Sequence, residues 1–290
     1  MSAILSYEFM QNAILVGIMA SIVCGVIGPF IVTRRMVFIS GGLSHTAFGG
    51  LGIAYWLGIR PLFGAMAFVL TAAVLIGRQE EKRFSRNDLF IGILWAVGVA
   101  IGILFIHMTP GYAPDLMSFL FGNILTVPRA DVLITLLLTL IVTGAVAIYY
   151  NGFVAIALDE EYARARRLPV AALKMGLMIL TALSIVTLIQ VVGILLVIAL
   201  LTIPVAIASE LAKNFRRIML LSILCGSLIS LSGLMASYFI EFPSGASIIL
   251  IGGALLAVIK GVKRITDRRK TALTWQTPTD RQNGLQTGSN

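Results

Sequence analysis

An all-α polytopic transmembrane bundle, of eight to nine spans plus a short re-entrant or outer helix, is the fold class that three observations predict. The 290-residue chain is 58% apolar and only 12% charged, against roughly one-quarter charged residues in soluble domains. Its mean hydropathy is +0.97. The apolar residues gather in runs of about 20, the length that spans a hydrocarbon core of about 30 Å. Lipid leaves only helices and closed barrels as spanning structures, because backbone polar groups must pair internally. The runs lack the period-2 alternation of barrel strands, so helices remain.

Nine segments qualify in order: 9–33, 36–58, 62–78, 89–108, 130–150, 169–188, 191–209, 218–240 and 245–262. Leu116–Val127 is too brief to cross and reads as the re-entrant or outer element. The first run does not read as a cleaved signal peptide, since no basic residue precedes it and Arg34-Arg35 follows directly. Residues 1–265 then form the transmembrane domain. The remaining 266–290, rich in Thr, Gln, Asn and Gly, are expected to be a disordered cytoplasmic tail.

Lys and Arg favour the cytoplasmic side of short loops. Threading nine spans with Met1 outside leaves only Arg60 and Arg129, of 22 Lys and Arg, on the outer side. The inner segments are then Arg34-Arg35, 78–88, 159–170, 210–217 and 260–270, with the carboxyl terminus cytoplasmic. If two adjacent short spans form one bent helix, the count is eight and the amino terminus moves inside. The net charge of +9 is thereby spent on topology, and scattered membrane-flanking cations do not make a nucleic-acid surface. Cys24 and Cys225 both lie in apolar spans, as small buried side chains do.

Ionisable residues inside a bilayer are costly and often mark pathways. His45, one of 2 histidines, is the clearly mid-span one. Lys174 lies near the inner end of its helix, where it can snorkel. Glu8, His107, Asp115 and Glu241 fall at the outer boundary and Glu210 at the inner one. Helical spacing puts Gly41, Ser44, His45 and Gly49 on one small, polar face. Two readings of that face are open. It is a packing surface with its histidine bonded to a neighbouring carbonyl, or it lines a translocation route in which His45 contacts the cargo. Imidazole suits Zn, Cu, Fe and Ni, whereas carboxylates suit Mn and Mg. One histidine is not a site, and the further donors within reach of such a route are Glu241, Asp115, hydroxyls and backbone carbonyls.

The inner segment NGFVAIALDEEYARARRLPV (151–170) orders its charges as a short helix requires. Asp159, Glu160 and Glu161 come first and Arg164, Arg166 and Arg167 last, complementing a helix dipole over 159–168. Pro169 opens the next helix. The segment is either a solvated loop with one helical stretch or a docking element for a cytosolic partner. The sequence has no GxxxxGK[ST] phosphate loop, so an ATP-driven process needs its motor on another polypeptide.

Five stretches taken together resemble the permeases of ATP-binding-cassette importers for divalent metals, the zinc/manganese/iron uptake family. They are GGLSHTAFGG (41–50), TPGYAPDLMSFLFGNIL (109–125), ALDEEYARARRLPV (157–170), QVVGILLVIALLTIPVAIA (190–208) and SYFIEFPSGASIIL (237–250), in the family's order. The resemblance implies a homodimeric permease in the cytoplasmic membrane, two copies of a separate cytosolic ATP-binding subunit, and an extracytoplasmic metal-binding protein. It implies no permanent cofactor, the divalent metal being cargo, and no catalysis by this chain. It makes 157–170 a coupling helix, with Glu160, Tyr162, Ala163, Arg164, Arg166 and Leu168 as its ATPase-coupling residues. It also makes His45 and Glu241 candidate metal contacts, with Gly41, Ser44 and Gly49 lining the pathway. The family pattern in the second span reads Gly-Asp-x-Leu-Ser-His, and the aspartate position here is Gly41. Losing that hard oxygen donor weakens a preference for Mn²⁺. Where the family commonly has aspartate, Glu241 keeps the charge, although a turn built with Pro243 and capping the last helix at Ser244 accounts for it equally.

Two other classes compete. An ion-coupled secondary carrier usually needs intramembrane carboxylates, and no Asp or Glu falls mid-span. An intramembrane metalloprotease needs more ligands than two histidines and shows no HExxH pattern.

Overall fold

The computed structural model describes residues 7–80, 87–110, 122 and 124–275. Eleven α-helices follow one another: α1 Glu8–Thr33, α2 Val37–Trp56, α3 Pro61–Glu80, α4 Asn87–Met108, α5 Arg129–Ile148, α6 Tyr150–Leu158, α7 Glu160–Ala165, α8 Val170–Val192, α9 Ile194–Leu211, α10 Phe215–Ile240 and α11 Ser244–Trp275. Nine of them are long and apolar enough to cross a membrane, and no strand occurs among the described residues. The nine match the expected segments in order. The last helix continues to Trp275, past the domain boundary expected at 265.

Burial sorts the spans. α1 and α2 are mostly enclosed, whereas α4, α5 and α11 present most of their apolar length outward, as lipid-facing helices do. α1 packs on α5, α9 and α10, and α2 is held between α3 and α4. Polar contacts join spans sparingly: Ser21 Oγ lies 3.1 Å from Ser230 Oγ between α1 and α10, and Thr46 Oγ1 donates to the Leu94 carbonyl between α2 and α4 at 3.3 Å. Small hydroxylated residues at such crossings let backbones approach and add interhelical bonds.

The two ends of the bundle are chemically distinct. At one, Asn12 Nδ2 donates to the Val127 carbonyl at 3.2 Å, and Arg129 pairs with Glu8. At the other lie Arg34, the α6–α7 elbow, Lys174, and a Lys263–Glu210 pair at 2.6 Å.

The sequence puts the break between the sixth and seventh spans near residue 190, and the structure moves it to Gly193. That residue alone separates α8 from α9, at φ +83°, a backbone region that glycine enters without penalty. A Cβ on Gly122, itself at φ +67°, would strike the Val192–Gly193 backbone. The chain returning after the fourth span is therefore pressed against this break. Val192 and Ile194 are buried there, so the irregular backbone is covered by protein. Of the short outer element, residues 116–121 and 123 lie outside the described residues, as does Asp115. Ile124–Thr126 forms one 3₁₀ turn whose Ile124 side chain is buried near Gly17 of α1.

Candidate functional site

On α2 the glycines answer most of the question that the polar face raises. A Cβ at Gly50 would overlap the Gly64 carbonyl of α3, and one at Gly52 would overlap Gly102 of α4. Gly49 is also committed to packing: its Cβ would sit 2.8 Å from the Gly98 carbonyl and 3.0 Å from the Phe68 ring. These positions let three backbones meet. Gly41 differs, because a Cβ there would meet only the Trp95 ring at 3.9 Å and Ile198 at 4.0 Å, ordinary contacts. Ser44 is buried and its hydroxyl donates to the Ser40 carbonyl at 2.8 Å, while Thr46 does the same to Gly42 at 2.7 Å. This back-bonding satisfies a hydroxyl inside a span without a partner helix.

His45 is half-buried, and its ring stacks on Trp95 of α4, with centroids 4.2 Å apart and planes 10° from parallel. An offset stack of this kind holds the imidazole by its face and leaves its ring nitrogens at the edge. The structure thus brings His45 and Gly41 together against one indole. Glu241 sits elsewhere, exposed at the end of α10 in a left-handed conformation at φ +58°. Ser237 Oγ donates to the Phe242 carbonyl of the same turn at 2.6 Å. Among the described residues, no three His, Cys, Asp or Glu come together as a metal site. His107 is exposed near the end of α4.

The inner elbow is more fully built. Asp159 is the N-cap of α7, and its carboxylate accepts from the Tyr162 N–H at 2.9 Å, satisfying one of the orphan donors of the first turn. The helix runs over Glu160–Ala165, shorter than the expected 159–168, because Arg167 turns left-handed at φ +56°, a conformation that cannot continue an α-helix. Ala163 is fully buried, and Leu168 packs against the core. Tyr162 is 54% exposed, with the Arg166 guanidinium 5.8 Å from its ring centroid.

Glu160 faces the other way and gathers three cations. Lys174 Nζ lies 2.6 Å from Oε2, Arg164 Nη2 2.7 Å from Oε1, and Arg34 Nη2 4.0 Å from Oε2. Arg34 also donates to the Ile156 carbonyl of α6 at 3.3 Å. Partial burial acts to raise the Glu160 carboxyl, but the hydrogen bonds from Lys174 and Arg164 and the charges of Lys174 and Arg34 outweigh it and hold the group below the usual carboxylate range. The i,i+4 spacing of Glu160 and Arg164 is a signal the sequence carries. The other two partners and the stack on Trp95 join residues far apart in the chain, and no spacing rule finds them. Lys174, expected to snorkel, is instead paired and largely covered.

Comparison with known proteins bears on both regions. The model of the ABC 3 transport family matches residues 6–262. The chain is 38% identical over 240 residues to a probable metal transport system membrane protein of Chlamydia pneumoniae, covering 81% of this chain and 82% of that one. It is 34% identical over 251 residues to the manganese transport system membrane protein MntC of Listeria monocytogenes, covering 87% and 89%. Its fold is similar to a chain in the structure of PsaBC from Streptococcus pneumoniae in complex with Fab, with a TM-score of 0.80 and 31% identity over 89% of this chain and 93% of that one. A nine-span bundle matched along almost its whole length in this way belongs to the ABC 3 transport family.

Proposed function

We propose that this chain is the permease subunit of an ATP-driven importer of divalent metal ions in the cytoplasmic membrane, with its carboxyl terminus in the cytosol. The observation that carries the reading is the elbow: a capped, six-residue helix that buries one side against the bundle and turns Tyr162 and Arg166 outward. An outward-facing, internally braced element of this kind suits the grip of a separate ATPase. The relatives named for metal and manganese transport support the cargo class.

In this reading the ATPase closes on nucleotide, displaces α7, and the permease alternates a central cavity between the two sides. His45 is the cargo contact, with Gly41 leaving space beside it and Ser44 on the same face. One chain offers a single imidazole there, so a second copy across a homodimer axis completes the route, together with water and carbonyls. Such incomplete coordination suits transport, because an ion held by a full protein shell leaves slowly. Glu241 is a secondary candidate at the outer rim, where an extracytoplasmic metal-binding protein delivers cargo. The absence of a carboxylate at position 41 favours borderline ions such as Zn²⁺ over Mn²⁺.

The test is to replace Arg166 and Arg164 with Glu and reconstitute the permease with its ATPase. Loss of permease-stimulated hydrolysis, with the permease still folded in detergent, is the expected result. Unchanged recovery of the complex and unchanged stimulation would refute the docking role of the elbow.

A further inference from the structure

The resemblance groups Glu160 with the residues that meet the ATPase, yet its carboxylate is already engaged from within the bundle. Its two oxygens are taken by Lys174 at 2.6 Å and Arg164 at 2.7 Å, with Arg34 at 4.0 Å. The cations come from different places. Arg164 belongs to α7 itself, Lys174 stands on the first turns of α8, and Arg34 occupies the turn between α1 and α2. The side chains of Arg34 and Lys174 are only 10% and 16% exposed, and that of Glu160 is 30% exposed. Ala163, buried beneath the same helix, leaves α7 no apolar anchor longer than a methyl group within its own span. Within α7 itself the side-chain link to the spans beyond that methyl group is therefore ionic, while Phe153, Ile156 and Leu168 anchor the flanking chain in the apolar core. A partly covered, hydrogen-bonded ion pair differs from an exposed one in this respect: removal of either partner strands the other charge.

We infer that Glu160 is a positioning residue, the hub that carries displacement of α7 to the α1–α2 turn through Arg34 and to α8 through Lys174, and that it is not an ATPase contact. The path to the cargo face is short. Arg34 stands three residues before Val37, the first residue of α2, and His45 lies about 12 Å along that helix at 1.5 Å per residue. A shift of the turn therefore moves the helix that bears His45. Coupling between distant sites requires an element that both ends bias, and α2 with its turn is that element. This inference rests on the elbow being the ATPase-facing segment, and the experiment separates the two.

The permease, its ATPase and Mn²⁺ or Zn²⁺ are reconstituted in vesicles, and ions moved per ATP hydrolysed are measured for Glu160→Gln, Lys174→Met, the double variant and Tyr162→Ala. Thermal unfolding and recovery of the complex are followed in parallel. Glu160→Gln and Lys174→Met should each lower transport per ATP about tenfold, with ATPase binding retained, and the double variant should be no worse than either, as expected for residues acting as one unit. Tyr162→Ala, on the outward face, should instead weaken recovery of the complex. If Glu160→Gln reduces recovery of the complex while transport per ATP stays normal, or if the two single effects add, the hub is overturned. If Tyr162→Ala leaves recovery and stimulation intact, the docking reading fails, whatever Glu160 does. Should Glu160→Gln also lower the melting temperature, transport per ATP is compared at a temperature where the variant is fully folded, and a coupling loss that persists there supports the hub. Normal coupling by the fully folded Glu160→Gln variant contradicts it.

Discussion

At the elbow the inward carboxylate of α7 meets one cation of its own helix and one each from the α1–α2 turn and α8, and the outward face carries an exposed tyrosine with an arginine over it. Along α2 the reverse holds. Its hydroxyls bond their own backbone, with Thr46 also reaching the Leu94 carbonyl, its glycines other than Gly41 are closed off by neighbouring helices, and its imidazole rests on an indole with no described cluster of metal-ligating groups beside it. The elbow is densely paired within one chain, whereas the face that carries His45 gathers no ligand set of its own among the described residues. A moving joint has to hold its own geometry through the cycle, which favours dense local pairing. In the function proposed above, a site that must release its ion is better left with incomplete coordination in one chain.

The strongest way to break this contrast is at the packing glycines. Gly50→Val forces a branched side chain into the Gly64 carbonyl, and overpacking a closed helix contact costs about 3 kcal/mol or more. Loss of folded permease in a detergent thermal-unfolding assay is expected. Survival of the bundle would mean α2 and α3 are less tightly joined than described. Next comes His45→Ala, which removes the proposed cargo contact together with its stack on Trp95. It should raise the Zn²⁺ or Mn²⁺ concentration for half-maximal uptake by at least about tenfold, the lower end of what loss of even a second-shell partner costs a metal site, while the complex assembles normally. Uptake unchanged at limiting metal would remove His45 from the route.

A smaller effect sharpens the elbow side. Because the folded state holds the Glu160 carboxyl low, its pairing contributes stability that is fully present above the usual carboxylate range and is lost as the pH falls through the depressed value. Melting temperature followed downward from pH 6 should therefore decline less steeply in Glu160→Gln than in the parent. Parallel curves would mean Arg34, Arg164 and Lys174 do not stabilise the carboxylate. The smallest effect is expected at Gly41→Ala, where the new methyl finds ordinary contacts and the helix gains up to about 1 kcal/mol from replacing glycine. Normal assembly with a small loss of uptake is expected. A large loss of uptake without loss of stability would show that the space itself is needed by the cargo.

The spans were legible because bilayer thickness fixes their length and composition, so nine apolar runs map onto nine helices with ends displaced by a few residues. The acidic-to-basic order of the elbow helix was legible for a local reason, and the cap at Asp159 and the pairing of Glu160 with Arg164 lie within those same helical turns. What remained hidden depends on which spans touch. Trp95 is an ordinary aromatic on an apolar helix until α4 lies against α2, and Lys174 an ordinary helix-end cation until α7 folds beneath it. Gly49 and Gly41 are indistinguishable by spacing, and only the neighbours separate a packing position from an open one. The shift of the α8–α9 break to Gly193 belongs with these, since a positive-φ glycine buried in an apolar run leaves no polar mark in the sequence.

In the function proposed above, this bundle supplies the route and another subunit supplies the energy through the elbow. Vesicles containing the permease alone, or the permease with its ATPase, can be loaded with ATP on the cytosolic face and followed for accumulation of Zn²⁺ and Mn²⁺ against a gradient. Uphill accumulation only when both subunits are present, and its disappearance when the ATPase cannot hydrolyse ATP, is the result this account predicts. Accumulation by the permease alone, driven by a proton or sodium gradient, would contradict it.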